Sequence, residues 1–394
     1  MRPLLLLTGA ILVCMSPALC YPGMAGQFEP LEKLDARQAS TELIGDLKTL
    51  SDNQLTTTGK AIKSILLGDG DPEDLTTTYN LIPSLGTSAC TEDKCCVWKH
   101  ISNEMRLSMV GSAGRCTNTA RAAVRLGFHD AGTWSKSANR GGADGSIILA
   151  NECENRTGDN AGLEEICAQT RIWYNKYKQY GISMADLIQW GANVATVLCP
   201  LGPRVRSFVG RKDSTTAAPT GLLPSVNDSV DKLISLFADK TLSTGQLVAL
   251  VGAHSTSQQR FVDPSRAGDP QDSTPGVWDV LFYGETTNPN SPARVFKFKS
   301  DIALSKDSRT SGAWQAFSGA TGQAPWNGAY SRAYVRLSLL GVNNINQLTE
   351  CTKALPPFLV GFLNPDDAIL DSFLNGPYDP QNAQKLLDGD ILLG

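Results

Sequence analysis

Apolar residues recur at helical spacing in several stretches of the chain. Leu43, Ile44, Leu47 and Leu50 fall on one helical face, as do Ile62, Leu66 and their neighbours. The Asp-Gly-Asp-Pro run at 69–72 and the threonines after it break this pattern. Residues 21–89 therefore read as an N-terminal helical extension of low order, loosely attached. Thr117 or Asn118 can cap a helix that runs through Ala120, Ala122, Ala123 and Leu126. Ser183-Met-Ala-Asp186 has the form of a capping box ahead of Leu187, Ile188, Val194 and Val197. Ser243-Thr-Gly-Gln246 is a second, ahead of Leu247, Leu250 and Val251, with His254 at the end. A Gly/Pro/Ser-rich stretch, roughly 200–228, separates two helical lobes. Helices many and strands few predict an all-α protein. The segment after Pro356, rich in Asp, Asn, Pro and Gly, is expected to wrap the surface.

The first residues carry a different pattern. Arg2 precedes a short apolar run from Leu4 to Met15, with small residues beyond it. The run is shorter than the roughly 20 residues that a bilayer requires, so residues 1–20 read as a secretory signal peptide. Ten cysteines less Cys14 and Cys20 leaves eight, an even number that favours four disulfides in an exported chain. Asn155-Arg-Thr and Asn227-Asp-Ser are glycosylation sequons of the same compartment. A net charge of −4 offers no basic footprint for nucleic acid. The extension has few basic residues and no aromatic anchor, which argues against a membrane-bound helix. Only His100, His129 and His254 are present, too few for a multi-histidine metal centre.

Two of those histidines lie in chemically suggestive surroundings. Arg125 and His129 are four residues apart on one helical face. A neutral imidazole can take a proton from a peroxide and return it to the leaving oxygen. A fixed guanidinium can stabilise the charge that develops as the O–O bond breaks. Asp130 follows at once, and Gly142, Asp144 and Ser146 offer oxygens at alternating positions, a set suited to Ca²⁺. Ser255, Asp272, Thr274, Val277 through its carbonyl, and Asp279 form a second such set beside His254. Asp301 is placed to take the second N–H of that imidazole. One histidine for proton transfer and one for ligation need a redox centre between them, and haem fits.

The strings RLGFHDA, GGADGSI, LVGAHS, DSTPGVWD and SDIALSKDSRT, in this order over roughly residues 90–360, resemble the secreted fungal haem peroxidases, class II of the plant–fungal–bacterial peroxidase superfamily. The resemblance implies a two-lobed helical fold with one haem b between a distal lobe (about 90–225) and a proximal lobe (about 226–360), and a tail at 361–394. It makes His129 the distal acid–base, Arg125 the distal arginine and Phe128 the aromatic over the haem. It places Asn160 as the residue holding His129, with Glu154 behind it. His254 becomes the proximal ligand and Asp301 its partner. The two oxygen-rich sets become two Ca²⁺ sites. The implied disulfides are Cys90–Cys96, Cys95–Cys351 and Cys116–Cys199. The family's fourth bridge is absent, and Cys153 and Cys167 are extra cysteines expected to pair.

Departures from the family bear on substrate. Manganese peroxidases hold Mn²⁺ with two glutamates and an aspartate; here the positions are Asn118, Ala122 and Arg260, which cannot form an oxygen-rich site. Lignin peroxidases use an exposed tryptophan five residues before the proximal histidine; here the residue is Ala249. Gln271 stands where an apolar residue is usual, and FHDAGTWSK, with Trp134, also resembles the intracellular class I branch. The other tryptophans read as packing residues and His100 as an ordinary helix residue. The expected function is a secreted monomer that reduces H₂O₂ to water and oxidises small phenolic donors in one-electron steps. Alternatives are a non-catalytic haem- and Ca²⁺-binding protein on the same fold, a lignin-active enzyme using another surface aromatic, and a metal-dependent hydrolase using His129-Asp130.

Overall fold

The computed structural model describes residues 39–394; the expected signal peptide, residues 1–20, lies outside the described residues. Helices of seven residues or more are numbered α1 (Thr57–Leu67), α2 (Cys96–Met109), α3 (Asn118–Ala131), α4 (Glu164–Tyr177), α5 (Met184–Leu198), α6 (Val230–Asp239), α7 (Thr244–Val251), α8 (Leu281–Thr287), α9 (Lys299–Lys306), α10 (Ser311–Phe317), α11 (Gln323–Leu337), α12 (Asp367–Asn375) and α13 (Pro380–Leu387). The only sheet among the described residues pairs β1 (Phe208–Val209) with β2 (Thr349–Glu350), antiparallel, with Phe208 opposite Glu350. No helix among the described residues is long and apolar enough to cross a membrane.

The centre of the fold follows from composition. Every residue of α5 is buried, and it lies across α3 and α2; its few polar side chains, Asp186, Gln189, Asn193 and Thr196, each meet an internal partner. Ser183 caps α5 by accepting from the Asp186 N–H. The return half of the expected box is missing, because the Asp186 carboxylate is turned away. It accepts from the Gly210 and Arg211 backbone N–H groups and pairs with the Arg211 guanidinium at 3.0 Å. The Ser243/Gln246 box on α7 is complete. Helix α7 packs on α11 and ends at Val251; His254 sits in the tight turn Gly252–Thr256 that continues it.

The described part of the extension is not loosely attached. Ile44, Leu47, Ile62, Ile65 and Leu66 are buried in the same hydrophobic core as α5 and α7. Arg336 of α11, itself fully buried, donates to the carbonyls of Ser40, Glu42 and Leu66. Lys136 pairs with Glu42, and Ser40 N–H donates to the capping Gln246, so residues 40–42 touch both lobes. These arginine-to-carbonyl bonds leave no side-chain signature in the extension itself. The tail is more than a wrapping segment: α12 and α13 bury Leu370, Phe373, Leu374 and Leu386 in a small cluster of their own. A buried Arg115–Asp366 pair at 2.8 Å ties it down. At Gly389 (φ +68°) a Cβ would lie 2.6 Å from the Arg115 carbonyl oxygen, so the tail can close only on glycine.

Glu73 gives the extension a pH dependence. Burial, with the Asp71 charge second, pushes its carboxyl up to about 7. Its folded pKa exceeds its unfolded one, so the stability it permits is full below the unfolded value and declines as pH rises toward 7. Glu73→Gln is expected to flatten that decline and raise stability at pH 7.5 by roughly 1–3 kcal/mol. Denaturant midpoints at pH 4.5 and 7.5, compared between the two proteins, check it.

Candidate active site

Helix α3 carries the first constellation. Thr117 caps it by accepting from the Ala120 N–H, and the helix presents Arg125 and His129 on one face. The Nδ1–H of His129 donates to Asn160 Oδ1 at 2.9 Å. That bond fixes the tautomer and leaves Nε2 as an acceptor, into which the Arg125 Nε–H donates at 3.2 Å. Burial first, then the Arg125 charge, pushes the His129 imidazole down to about 3, so it is neutral across ordinary pH. Arg125 also donates to the Ala161 carbonyl at 2.6 Å and is exposed. Phe128, one position before His129, stacks with Phe237 at 6.3 Å and meets His129 edge-on.

Asn160 is held differently from expectation. Its Nδ2 donates to the backbone carbonyl of Glu152 at 3.1 Å. Glu154 is exposed and pairs with Arg171 instead. The Glu152 carboxylate is buried, pairs with Arg156 at 2.7 Å and accepts from the Ala218 N–H. Sequence reasoning missed Glu152 because both glutamates lie in the four-residue turn ECEN, and the group that holds Asn160 is a backbone carbonyl. The Cys153–Cys167 disulfide ties this turn to α4. The other three bridges are Cys90–Cys96, Cys95–Cys351 and Cys116–Cys199.

The second constellation faces the other way. His254 Nδ1–H donates to Asp301 Oδ2 at 3.0 Å, and Ser300 donates to the other oxygen. About a third of the His254 side chain is uncovered, and its Nε2 makes no protein hydrogen bond. Phe282 and Phe298 meet the ring edge-on and fix its plane; neither was singled out by sequence. A half-buried imidazole with one nitrogen on a carboxylate and the other without a hydrogen bond among the described residues fits an iron ligand. Gln271 is buried against Ser257, its backbone N–H donating to the Ser257 carbonyl and its Oε1 accepting from the Ser257 hydroxyl, with Nε2 unpartnered among the described residues.

Both oxygen-rich sets are assembled. Ser255 Oγ donates to the Val277 carbonyl at 3.1 Å and accepts from the Asp279 N–H; Thr274 bridges Asp272 and Asp279. Asp272 is fully buried with Oδ2 unpartnered, and burial beside Asp279 pushes its carboxyl up. Asp279 is pushed up to about 6, chiefly by burial. Two buried acids and an orphaned oxygen fit a divalent cation, which would reverse those shifts. In the other lobe Asp130 is fully buried beside Asp144, and its carboxyl is pushed up by burial. Gly142 (φ +113°) lies against the Leu340 carbonyl, with no room for a Cβ.

The remaining positions stand apart from these centres. Asn118 and Arg260 line an open cleft of about 600 Å³ with Gln384 and Asp388 of the tail. Ala249 is fully buried, and so is each of the seven tryptophans, Trp134 included, to within a tenth of its surface. The Nε2–H of His100 donates to the Pro83 carbonyl at 2.8 Å. Asn155 and Asn227 are exposed.

Comparison with known proteins agrees with this geometry. A family profile described as Peroxidase matches residues 103–320, more than half of the chain. Ligninase C of Trametes versicolor is 32% identical over 297 residues, covering 69% of this chain and 77% of its own. Manganese peroxidase 3 of Phlebia radiata is 32% identical over 300 residues, covering 70% and 81%. A low-redox potential peroxidase of Taiwanofungus camphoratus is 32% identical over 278 residues, covering 67% and 78%. A helical scaffold that brings an arginine–histidine pair and a carboxylate-bound histidine into one protein, together with these relatives, places the chain in the peroxidase family, among the fungal class II haem peroxidases, oxidoreductases acting on hydrogen peroxide.

Proposed function

We propose that this peroxidase works outside the cell as a monomer, with one haem b and two Ca²⁺, and that its donors are small phenols. The observation that carries the catalytic reading is the chain Arg125–His129–Asn160, with a neutral imidazole whose Nε2 bears no proton and accepts from the Arg125 Nε–H. When bound, the haem supplies the two-electron reduction of peroxide and the single-electron oxidations of the donor. His254 Nε2 would ligate it, and Asp301 makes that imidazole a stronger donor by drawing on Nδ1–H. His129 Nε2 takes a proton from one peroxide oxygen and returns it to the other, which leaves as water. Arg125, whose Nε–H meets that nitrogen, would stabilise the negative charge that builds on the departing oxygen. Two phenols each then give up one electron and one proton, forming the second water and two phenoxyl radicals.

The donor assignment rests on the residues at the Mn²⁺ positions and on the burial of Ala249, which leaves no exposed indole there. Asp130, Gly142, Asp144 and Ser146 would hold one Ca²⁺ at the end of α3, and Ser255, Asp272, Thr274, Val277 and Asp279 the other beside His254. Asn155 and Asn227 are accessible for glycosylation, in keeping with export. A non-catalytic haem carrier would need neither Arg125 nor Asn160 on His129.

Stopped-flow absorbance after one equivalent of H₂O₂ tests the reading. A rapid change of the Soret band, reversed by a phenol without Mn²⁺, is expected; an inert band overturns it. The same rate constant should stay within about twofold from pH 8 to pH 5, since His129 loses its acceptor only as pH falls toward its own pKa of about 3. A fall centred near pH 6.5 would show that the imidazole is not held neutral.

A further inference from the structure

The loop that holds His129 has almost no core of its own. Of the described side chains from Glu152 to Leu163, only Glu152, Cys153, Asn160 and Leu163 are buried. Its backbone is held by local bonds. Asn160 N–H donates to the Arg156 carbonyl at 2.8 Å, Leu163 N–H to the Asn160 carbonyl at 3.0 Å, and Cys167 N–H to the Leu163 carbonyl at 2.9 Å. The Cys153–Cys167 bridge closes this path on itself across a sequence separation of 14. Cys116–Cys199 and Cys95–Cys351 span the same stretch, but across 83 and 256 residues. A short ring is a poor place for a bridge that serves stability alone, because the entropy removed from the unfolded chain grows with the length closed.

We propose that the Cys153–Cys167 disulfide is a positioning device for the peroxide reaction, which aims the Glu152 carbonyl and through it fixes Asn160 and the tautomer of His129. This rests on the haem peroxidase reading above. The Glu152 carbonyl lies in one peptide plane with the nitrogen and Cα of Cys153. Pinning Cys153 therefore sets the direction in which that carbonyl accepts the Asn160 Nδ2–H, at 3.1 Å. The amide so held turns Oδ1 toward His129 Nδ1. A flipped amide would set an N–H against that nitrogen and move the ring proton to Nε2. There it would face the Arg125 Nε–H, and the imidazole would have no site to take a proton from peroxide.

The choice of a backbone acceptor makes the bridge necessary. A side-chain acceptor can follow a shift of the loop by changing rotamer, whereas a carbonyl turns with its peptide. Glu154, the side chain expected behind Asn160, is turned to Arg171 instead. The Glu152 carboxylate is anchored by Arg156 and the Ala218 N–H, bonds that hold its side chain and leave its peptide to the neighbouring cysteine.

The test compares haem-loaded, full-length Cys153→Ala/Cys167→Ala with Cys90→Ala/Cys96→Ala, which removes a bridge at the start of α2. The rate constant of the Soret change with H₂O₂ is expected to fall about tenfold or more in the first and to stay within about twofold of the parent in the second. In an Asn160→Ala background the first pair should cost no more than about twofold, because the bridge acts through Asn160. The ring itself gives a readout that loss of stability alone would not move. With three histidines in the chain, isotope-labelled ring nitrogens can be assigned by magnetic resonance in the diamagnetic, reduced carbon monoxide form. His129 should carry its proton on Nδ1 in the parent and in the Cys90/Cys96 variant, and on either nitrogen once the Cys153–Cys167 link is gone. Cys153→Val/Cys167→Ala, which refills part of the volume without the link, is read where the alanine pair does not fold. An unchanged rate and a single Nδ1–H tautomer without the bridge overturn the proposal, and so does a loss that adds in full to that of Asn160→Ala. A parent protein that binds haem but does not react with peroxide overturns the peroxidase reading itself, and this proposal with it.

Discussion

His129→Leu is expected to keep its haem and to react with H₂O₂ at least a thousandfold more slowly. Proton transfer by a positioned base contributes about 10²–10⁴ in rate. The substitution also removes the acceptor that orients Arg125, whose Nε–H points at His129 Nε2. Loss of an electrostatic stabiliser of this kind costs a further 10²–10³ where the two effects are separable, and here they overlap. The measurement is the second-order rate constant of the Soret change, with haem content read from the same spectrum. Asn160→Ala should fall between the two, because it frees the tautomer without removing the ring. A His129→Leu protein within tenfold of the parent would remove the distal role.

Arg336→Met should destabilise the fold by about 3–5 kcal/mol, the largest expected effect among residues remote from the chemistry. The guanidinium is fully buried and serves Ser40, Glu42, Leu66 and Thr241. Methionine fills much of the volume but leaves three carbonyls without a donor, and burial already pushes this arginine down to about 10. Denaturant unfolding of the haem-loaded protein reads the loss. Limited proteolysis should show early cleavage within residues 39–70 while the Cys95–Cys351 bridge keeps the rest closed. An unchanged midpoint would mean that the extension is loosely attached after all.

Much of the site could be read from sequence because its parts are local. Arg125 and His129 share one helix face, and alternating oxygens announce the loops at 142–146 and 272–279. What could not be read depends on backbone atoms or on distant pairings. Nothing in ECEN says that a carbonyl of Glu152 would hold Asn160 while Glu154 turned to Arg171. Asp186 looked like a cap partner and became the anchor of Arg211, since a buried guanidinium needs a carboxylate and the first N–H groups of α5 already donate to Asp213. Phe282 and Phe298 gave no sign that they would flank His254, because their helices meet it only in the folded lobe. The extension was misjudged for the same reason: its strongest contacts are its own carbonyls.

That attachment sets an order on the making of the molecule. The carbonyls of Ser40 and Glu42 find their donor 296 and 294 residues further along the chain. At about 5–20 residues per second, synthesis of the intervening stretch takes on the order of 15–60 s. Throughout that interval Ile44, Leu47, Ile62 and Ile65, destined for the core, have no α11 to cover them. The segment translated early is therefore among the last to be sealed, and its apolar stripe is the natural handle for a chaperone. A circular permutant that places residues 39–89 after Gly394 would close that window almost as soon as it opened.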